Sequence, residues 1–387
     1  MIAGKDVTVL GAGIAGLAAA TALAARGARV RILEQAPAIR EVGAGLQITP
    51  NGMAVLRALG LAREAERASQ MAEAVELIDG ETGQIVTRID LLKLAPRGAF
   101  RFFHRADLIG LLEEAAQAAG ADIQLGRRVT GVALGDHPPT LDTAHGKEGA
   151  GLLVGADGLH SQVRAALIGR PSPFFTHQVA WRATLPAEGD IAPVARVYMG
   201  AGRHVVTYPL RGGQLRNIVA VEERAKWAEE SWSLTDDPLA LRIAFEDFIP
   251  EVRGWLDRIE QPNLWGLFRH PVATRWHGQG AVLMGDAAHP TLPFLAQGAN
   301  MALEDAWVLA HILATKPQSE ALAAYEAARA PRVRRIVAAA NANARNYHLS
   351  GIRRDLAHAG LRLLGRVAPN AAANRFGWLY GHDVTRG

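Results

Sequence analysis

Val7-Thr-Val-Leu10, Gly11-Ala-Gly13-Ile-Ala15-Gly16, an Ala- and Leu-rich run to about Gly27, then Arg29-Val-Arg-Ile-Leu33 and Glu34 follow one another near the start of the chain. The first β-branched run reads as a buried strand, the alanine-rich stretch as a helix and Arg29–Leu33 as a second strand. The glycines between strand and helix have separate duties. Gly11 allows a tight turn, Gly13 lets a pyrophosphate approach the backbone, and Gly16 lets the helix lie close on the strand. Glu34 ends the second strand, where an acid accepts hydrogen bonds from a ribose diol. A lone G-x-G-x-x-G carries little weight. With both strands, the helix and the acid in order, it predicts a dinucleotide-binding βαβ unit, and so an α/β fold with a Rossmann-like domain.

A second stretch, Val282-Leu-Met-Gly-Asp286-Ala-Ala-His-Pro290-Thr-Leu-Pro293-Phe-Leu-Ala-Gln-Gly298-Ala299-Asn300, reads as a buried strand, a sharp turn at Gly285-Asp286, a Pro-rich bend and a helix start. It places a carboxylate beside a small-residue turn and aims a helix N-terminus into the same space. Unpaired N–H groups there suit an anionic edge such as N1–C2=O of a reduced flavin. Alone, the stretch is equally an ordinary strand-to-helix connection.

Between these stretches the pattern alternates. Gly43-Ala-Gly45-Leu-Gln47 leads to a helix starting at Pro50-Asn51, and residues 72–100 read as short alternating strands. The α/β pattern returns at His104-Arg105-Ala-Asp107 with a helix to Gly120. Leu152-Leu-Val-Gly-Ala-Asp157-Gly158 is another buried strand meeting a turn; Asp157 either caps that turn or faces a cofactor, and Ser161 caps the next helix. Residues 172–270 are mostly alternating strands, and the chain is helical beyond Gly298, with a long helix over 319–348 that Pro331 is expected to kink or break. The expected division is a Rossmann-like domain (1–71, 101–171, 271–318) interleaved with an antiparallel-sheet domain (72–100, 172–270), plus a C-terminal helical region, 319–387.

Within the second sheet, His204-Val-Val-Thr-Tyr208 places an imidazole and a phenol on one strand face, since positions i and i+4 share a side. Together they suit a substrate hydroxyl. Spacing alone equally allows a strand-edge His and a core Tyr. Trp181-Arg182 carries the same two readings.

With 387 residues, 49% hydrophobic and 21% charged, the chain is long enough for a large core. It has no cysteine, hence neither disulfide nor thiolate site. No apolar run has membrane-span length, and no leader is expected, since the first apolar segment is already the strand before the Gly-rich turn. A cytoplasmic protein is the expectation. The charge of +4 comes from 37 Arg and 5 Lys against 38 acids. The densest Arg cluster, Arg329 to Arg335, reads as a solvated helix face; without interleaved aromatics it does not predict nucleic-acid binding. The histidines lack metal-ligand spacing.

Four signals then coincide: Gly11-x-Gly13-x-x-Gly16 with Glu34, Arg105-Ala-Asp-Leu, Asp157-Gly158 with Arg164, and Gly285-Asp286-Ala-Ala-His-Pro leading to Gln297-Gly-Ala-Asn300. Together they resemble the single-component FAD-dependent aromatic hydroxylases (group A flavoprotein monooxygenases) across essentially the whole chain. The likeness is nearest to the salicylate and 6-hydroxynicotinate branch, through Val42-Gly-Ala-Gly45, Trp181-Arg182, Ala296-Gln-Gly-Ala299 and Trp378-Leu-Tyr380. The resemblance implies non-covalent FAD, with Gly11, Gly13, Ala15 and Gly16 at the pyrophosphate and Glu34 and Gln35 at the adenosine end. It implies Arg105 along the ribityl–pyrophosphate, Val129 at the adenine, Asp286 at the pyrophosphate–ribityl segment, and Gly298, Ala299 and Asn300 at the pyrimidine edge. Asp157 belongs to the motif serving both FAD and the nicotinamide donor. Substrate contacts are implied for Gln47, Arg182, His204 and Tyr208, with Pro293, Phe294 and Leu295 as apolar walls. Some relatives carry His where this chain has Gln47, which makes His204 the leading base.

The implied activity is hydroxylation of a small phenolic acid through a flavin C4a-hydroperoxide, consuming NADH or NADPH and O2, in a monomer or homodimer. Because that oxygen is electrophilic, the ring must be electron-rich, and a base forming the phenolate serves that need. No second Gly-rich βαβ unit exists for the nicotinamide, so the donor is expected to bind transiently. A larger polyketide- or antibiotic-type substrate, or a non-catalytic flavin redox sensor, are the alternatives. Arg182, Arg203, Arg211 and Arg216 all stand as carboxylate anchors at this stage.

Overall fold

The computed structural model describes residues 1–39, 44–95, 100–170, 172–224, 234–344, 348–349, 351–367 and 376–386. Val42 and Gly43 of the glycine-rich loop lie outside the described residues. One sheet has five parallel strands in the order Ala281–Leu283, Leu152–Gly155, Asp6–Leu10, Arg29–Leu33 and Asp122–Gln124, and His277–Gly278 adds an antiparallel edge. Its central strands are apolar along their length because helices cover it. Every residue of helix Ile14–Ala24 is buried. That explains the alanines: small side chains let this helix fit between the sheet and helix Gly298–Thr315, which it contacts.

The chain leaves this sheet to build an eight-stranded one. Its order is Leu234–Thr235, Asn263–Arg269, Phe174–Pro186, Leu215–Glu223, Arg203–Leu210, Val194–Gly200, Ala74–Asp79 and Ile85–Asp90. The sequence predicts that this sheet is antiparallel; one pair departs from that, since Val194–Gly200 runs parallel to Ala74–Asp79. The two strands come from separate excursions of the chain, and no hairpin constrains their direction. A three-stranded sheet, Gly45–Ile48, Arg101–His104 and Ser69–Met71, lies beside it.

Two expectations about the C-terminal region are corrected in part. Helix Gln318–Ala344 runs through Pro331 as one helix, so the proline neither ends nor divides it. Of the arginines there, Arg334 and Arg335 are exposed as expected, but Arg329 and Arg332 turn inward. Arg329 is 1% exposed and donates to Glu304 and to Asp305 (2.7 Å), while Arg332 bonds both oxygens of Glu304 and the carbonyls of Trp378 and Leu379. Arg335 stacks on Trp378, 3.8 Å from its ring. The physical reason is pairing: Glu304 and Asp305 are fully buried on the facing helix and need a buried cation. No helix among the described residues is long and apolar enough to cross a membrane.

Candidate active site

The glycine-rich turn shows three different constraints. Gly11 has φ +95°, and a Cβ there would lie 2.5 Å from the Ala156 carbonyl oxygen. A Cβ on Gly16 would come 1.9 Å from the Gly11 carbonyl oxygen, so this residue sets the helix-to-strand approach. A Cβ on Gly13 would meet nothing within 4 Å. The requirement for glycine there is not internal packing; it leaves backbone open to a ligand. Glu34 closes the same turn, accepting from the N–H of Ala12 and of Ala36, both at 2.8 Å. Each oxygen keeps lone-pair capacity for a diol. Ala15 is buried behind the turn and Gln35 is exposed beside it.

Opposite the turn, Gly285 adopts φ +55°, with room limited to 2.8 Å from the Ala15 methyl. Asp286 is exposed although Gly285 and Ala287 on either side are buried, so the carboxylate emerges from packed backbone beside the nucleotide turn. Pro293–Leu295 forms a short 3-10 turn, and Ala296 follows at φ +53°, a conformation that an L side chain rarely takes. It sets the start of helix Gly298–Thr315, whose first i→i−4 bond is Met301 N–H to the Gln297 carbonyl. The N–H groups of Gly298, Ala299 and Asn300 therefore precede the helical ladder. The Asn300 side chain is buried and bonds the backbone of Thr49, Gln47 and Ala296, so only its backbone is offered to a ligand.

Register across the large sheet decides which side chains share the face toward this cradle. Pairing aligns His204 with Val221 and Ala180, Val206 with Val219 and Arg182, and Tyr208 with Asn217 and Thr184. Phe294 packs on that face against Ala180 and Val221, its ring 5.9 Å from that of His204. Tyr208 stacks on Phe102 at 4.9 Å, and Asn217 accepts from Gly45 N–H at 2.7 Å, docking strand Gly45–Ile48 with Gln47 against the same face. Of the two alternatives for His204 and Tyr208, both are buried and share one face.

Of the four candidate carboxylate anchors, one turns toward this face. Arg203 bonds the carbonyls of Ala201 and Ala244 on the far side; Arg216 lies 4.0 Å over the Trp255 ring, also on the far side; Arg211 pairs with Asp107 at the surface. Arg182 lies 4.3 Å over the Trp265 ring, and its Nε is buried without a hydrogen-bond partner among the described residues. Desolvation brings its guanidinium down to about 10, with the Tyr208 hydroxyl opposing and Arg105 adding to the shift. Trp181, its neighbour in sequence, points the other way, donating to Asp236 at 3.0 Å and meeting Phe245 edge-on.

Arg105 opens helix Arg105–Ala118 directly after strand Arg101–His104, and its N–H donates to the Ala44 carbonyl. Val129 starts strand Val129–Ala133 and is half-buried. Both oxygens of Asp157 are engaged with the start of helix Gln162–Ile168, taking Ser161 Oγ at 2.5 Å and Gln162 N–H at 2.7 Å; of its two sequence readings, the turn-capping one is occupied. Pro293 is exposed, whereas Phe294 and Leu295 are buried. Sequence reasoning missed His348, whose Nε2 lies 2.7 Å from Nδ1 of His204 and whose Nδ1 lies 2.7 Å from Glu223. Its only signal was a histidine in a polar helical stretch.

The open backbone at Gly13, the acid at Glu34 and the helix start at Gly298 fit FAD, lying at one end of the crevice beyond the parallel strands. Comparison with known proteins agrees. Residues 5–340 match the model of the FAD binding domain family. The chain is 34% identical to the 3-amino-4-hydroxybenzoate 2-monooxygenase of Streptomyces platensis, covering 98% of this chain and 96% of that one. It is 31% identical to the 3-hydroxybenzoate 6-hydroxylase of Polaromonas naphthalenivorans over the same shares, 98% and 96%. The structure of Klebsiella pneumoniae HpxO complexed with FAD and uric acid superimposes with a TM-score of 0.82 at 26% identity, covering 96% of each chain. With the cradle and the sheet face arranged as above, this chain belongs to the FAD binding domain family, among its group A flavin monooxygenases.

Proposed function

We propose that the chain hydroxylates a small aromatic or heteroaromatic acid bearing a phenolic hydroxyl, using FAD, NAD(P)H and O2. The observation that carries this reading is the sheet face itself. A desolvated Arg182 with an uncommitted Nε–H, a buried His204 and a buried Tyr208 share it, opposite Phe294 and the helix start at Gly298. From strand spacing and rise, the Cα atoms of Arg182 and His204 stand roughly 12 Å apart. The two side chains narrow that gap to about one substituted ring.

When bound, FAD supplies the reducing equivalents and the activated oxygen. The chain's own residues do the rest. Gly11, Gly13, Ala15 and Gly16 leave room for the pyrophosphate; Glu34 with Gln35 holds the adenosine ribose, and Arg105, Val129 and Asp286 contact the remainder. The N–H groups of Gly298, Ala299 and Asn300 hold the pyrimidine edge, where the helix start favours negative charge. Arg182 anchors the substrate carboxylate with a charge-assisted bond. His204 takes the phenolic proton, making the ring electron-rich, and Tyr208 orients the hydroxyl. Burial holds His204 well below its ordinary value, with His348 adding to the effect, so the neutral form that accepts a proton is present at physiological pH. Gln47, Pro293 and Phe294 wall the ring and limit water.

The test is NADH and NADPH oxidation by the FAD-loaded protein with 3-hydroxybenzoate, 3-amino-4-hydroxybenzoate and hydroxypyridine carboxylates. Substrate-stimulated oxidation with a product heavier by one oxygen supports the reading. Stimulation that yields only peroxide with every compound overturns it for this substrate class.

A further inference from the structure

Three polar side chains line up along one edge of the substrate face and end at the surface. Nδ1 of His204 lies 2.7 Å from Nε2 of His348, and Nδ1 of His348 lies 2.7 Å from Oε1 of Glu223. Both imidazoles are buried, whereas the Glu223 side chain is 52% exposed. Glu223 shares the strand face of Val221, the residue paired with His204, so the sheet register brings the carboxylate to the same side.

The hydrogen-bond roles follow from what each group can do. A carboxylate only accepts, so Nδ1 of His348 carries a hydrogen. In a neutral His348, Nε2 then holds the lone pair, and His204 must donate from Nδ1. Its own lone pair is left on Nε2. Gln178 fits the same assignment. Its amide nitrogen is placed 3.2 Å from Nδ1 of His348, and its Oε1 is buried with no hydrogen-bond partner among the described residues. Turning the amide by half a turn, which leaves its shape unchanged, makes Oε1 a second acceptor for His348 Nδ1–H.

We propose that His348 and Glu223 act through His204 as a proton relay, carrying a proton from a phenolic hydroxyl bound at His204 to the exposed carboxylate. The proposal rests on the reading of His204 as the base. The substrate O–H bond breaks as an N–H bond forms at His204 Nε2. The Nδ1 proton of His204 passes to Nε2 of His348, and the Nδ1 proton of His348 passes to Oε1 of Glu223, which releases it to water. One proton leaves the site, one phenolate remains, and no electrons change hands. Neither imidazole retains the charge easily. Burial lowers both, His348 lowers His204 further, and Glu223 partly offsets the burial at His348. Such a pair conducts a proton outward more readily than it stores one. Among the described residues, other titratable groups on this face are Tyr208 on the same strand, Arg182 two strands away, and Asp79, aligned with Met199 and 3.4 Å from His358 Nδ1; Phe294, Val221 and Met199 pack around His204 without ionising. His348 and Glu223 touch no substrate in this scheme and are positioning residues.

The experiment uses the FAD-loaded enzyme and its E223Q, E223D and H348Q variants. Glutamine at 348 can hydrogen-bond but cannot take a proton on one side and release it on the other. Two readouts are needed. The first is product formed per NAD(P)H consumed, with 3-hydroxybenzoate, from pH 6 to 9. H348Q and E223Q are expected to lose at least tenfold in hydroxylation at pH 6.5 and to recover as pH rises toward the phenol's own ionisation, while E223D keeps most of the rate. Superimposable pH profiles for wild type, H348Q and E223Q would overturn the relay. The second readout is independent of any substrate: nitrogen-15 NMR of labelled histidines, with H348Q assigning the partner signals. His204 is expected as the Nδ1–H tautomer, and finding the Nε2–H tautomer overturns the relay. If no panel compound is hydroxylated by the wild type, the functional reading fails, and the tautomer alone decides the relay.

Discussion

Asn300 accepts the backbone N–H of Thr49 at 2.9 Å and donates to the Gln47 carbonyl at 3.1 Å, so the first turn of one helix holds the strand carrying Gln47. A Cβ on Gly52 would fall 2.2 Å from Asn300 Oδ1, so the glycine there makes room for this side chain. Replacing Asn300 by Ala removes three hydrogen bonds to backbone, those to Thr49 N–H and to the Gln47 and Ala296 carbonyls, a cost of about 2–4 kcal/mol. Denaturant unfolding of FAD-loaded and FAD-free protein should show that loss in both forms, with FAD affinity reduced as the helix start shifts.

Gly13 and Gly16 should separate binding from folding. G13A meets no protein atom, so it is expected to keep the wild-type melting temperature of the FAD-free protein while losing FAD affinity by tenfold or more. G16A drives a methyl into the Gly11 carbonyl and is expected to unfold or express poorly. Wild-type FAD affinity in G13A would show that the pyrophosphate lies elsewhere.

Arg182 should control affinity for a carboxylate. R182M is expected to raise KM for carboxylated phenols by about 10- to 100-fold, as loss of a charge-assisted hydrogen bond costs about 1.5–3 kcal/mol. The carboxamide analogue should be nearly insensitive to the change. R182K should recover only part of the loss, because an ammonium lacks the planar fork. Equal KM changes for acid and amide would assign Arg182 another role.

His204 sets an acid limb. Its protonation lies well below the ordinary histidine range, burial being the main cause, so the base form persists as pH falls through 6.5. Coupled hydroxylation by the wild type should therefore hold down to pH 6 and fail only below it. H204A should release peroxide in place of product at pH 7 and regain coupling at high pH. Unchanged coupling at pH 7 would remove His204 from the mechanism.

The buried network at Arg329 predicts acid sensitivity. Burial raises the Asp305 carboxyl, but His289 and Arg329 outweigh it and hold it below the ordinary value of 3.8; Glu304 is likewise held low, burial being opposed by Arg329 and Arg332. Depressed folded values mean stability that is full above about pH 4 and lost as pH falls through the depressed values. R329M leaves two buried carboxylates under-compensated and should cost about 3–5 kcal/mol at pH 7. Its stability should then rise, not fall, on mild acidification toward pH 5, because protonation relieves the unpaired charge.

Much of the fold was legible because it is written in local pattern. The strand–glycine–helix–strand–acid order of residues 7–34 occurs within one contiguous segment, and so does the strand–bend–helix of residues 282–305. Strand alternation likewise placed His204 and Tyr208 on one face, since side chains alternate with period two whatever the surroundings. What local pattern could not supply was which face looks at the cofactor cradle and what lies across from it. That depends on pairing register between strands, and register separated Arg182 from Arg216, equally plausible as isolated arginines. Tertiary packing also changed the reading of Arg329 and Arg332, because a helix of alternating small residues and arginines looks solvated until Glu304 and Asp305 are packed against it. The cofactor class was readable from the chain alone, through glycines and an acid whose spacing is set by a pyrophosphate and a ribose. The His204–His348–Glu223 line, by contrast, comes into being on folding. Those hydrogen bonds span 144 and 125 residues of chain, and no periodicity encodes a contact of that range.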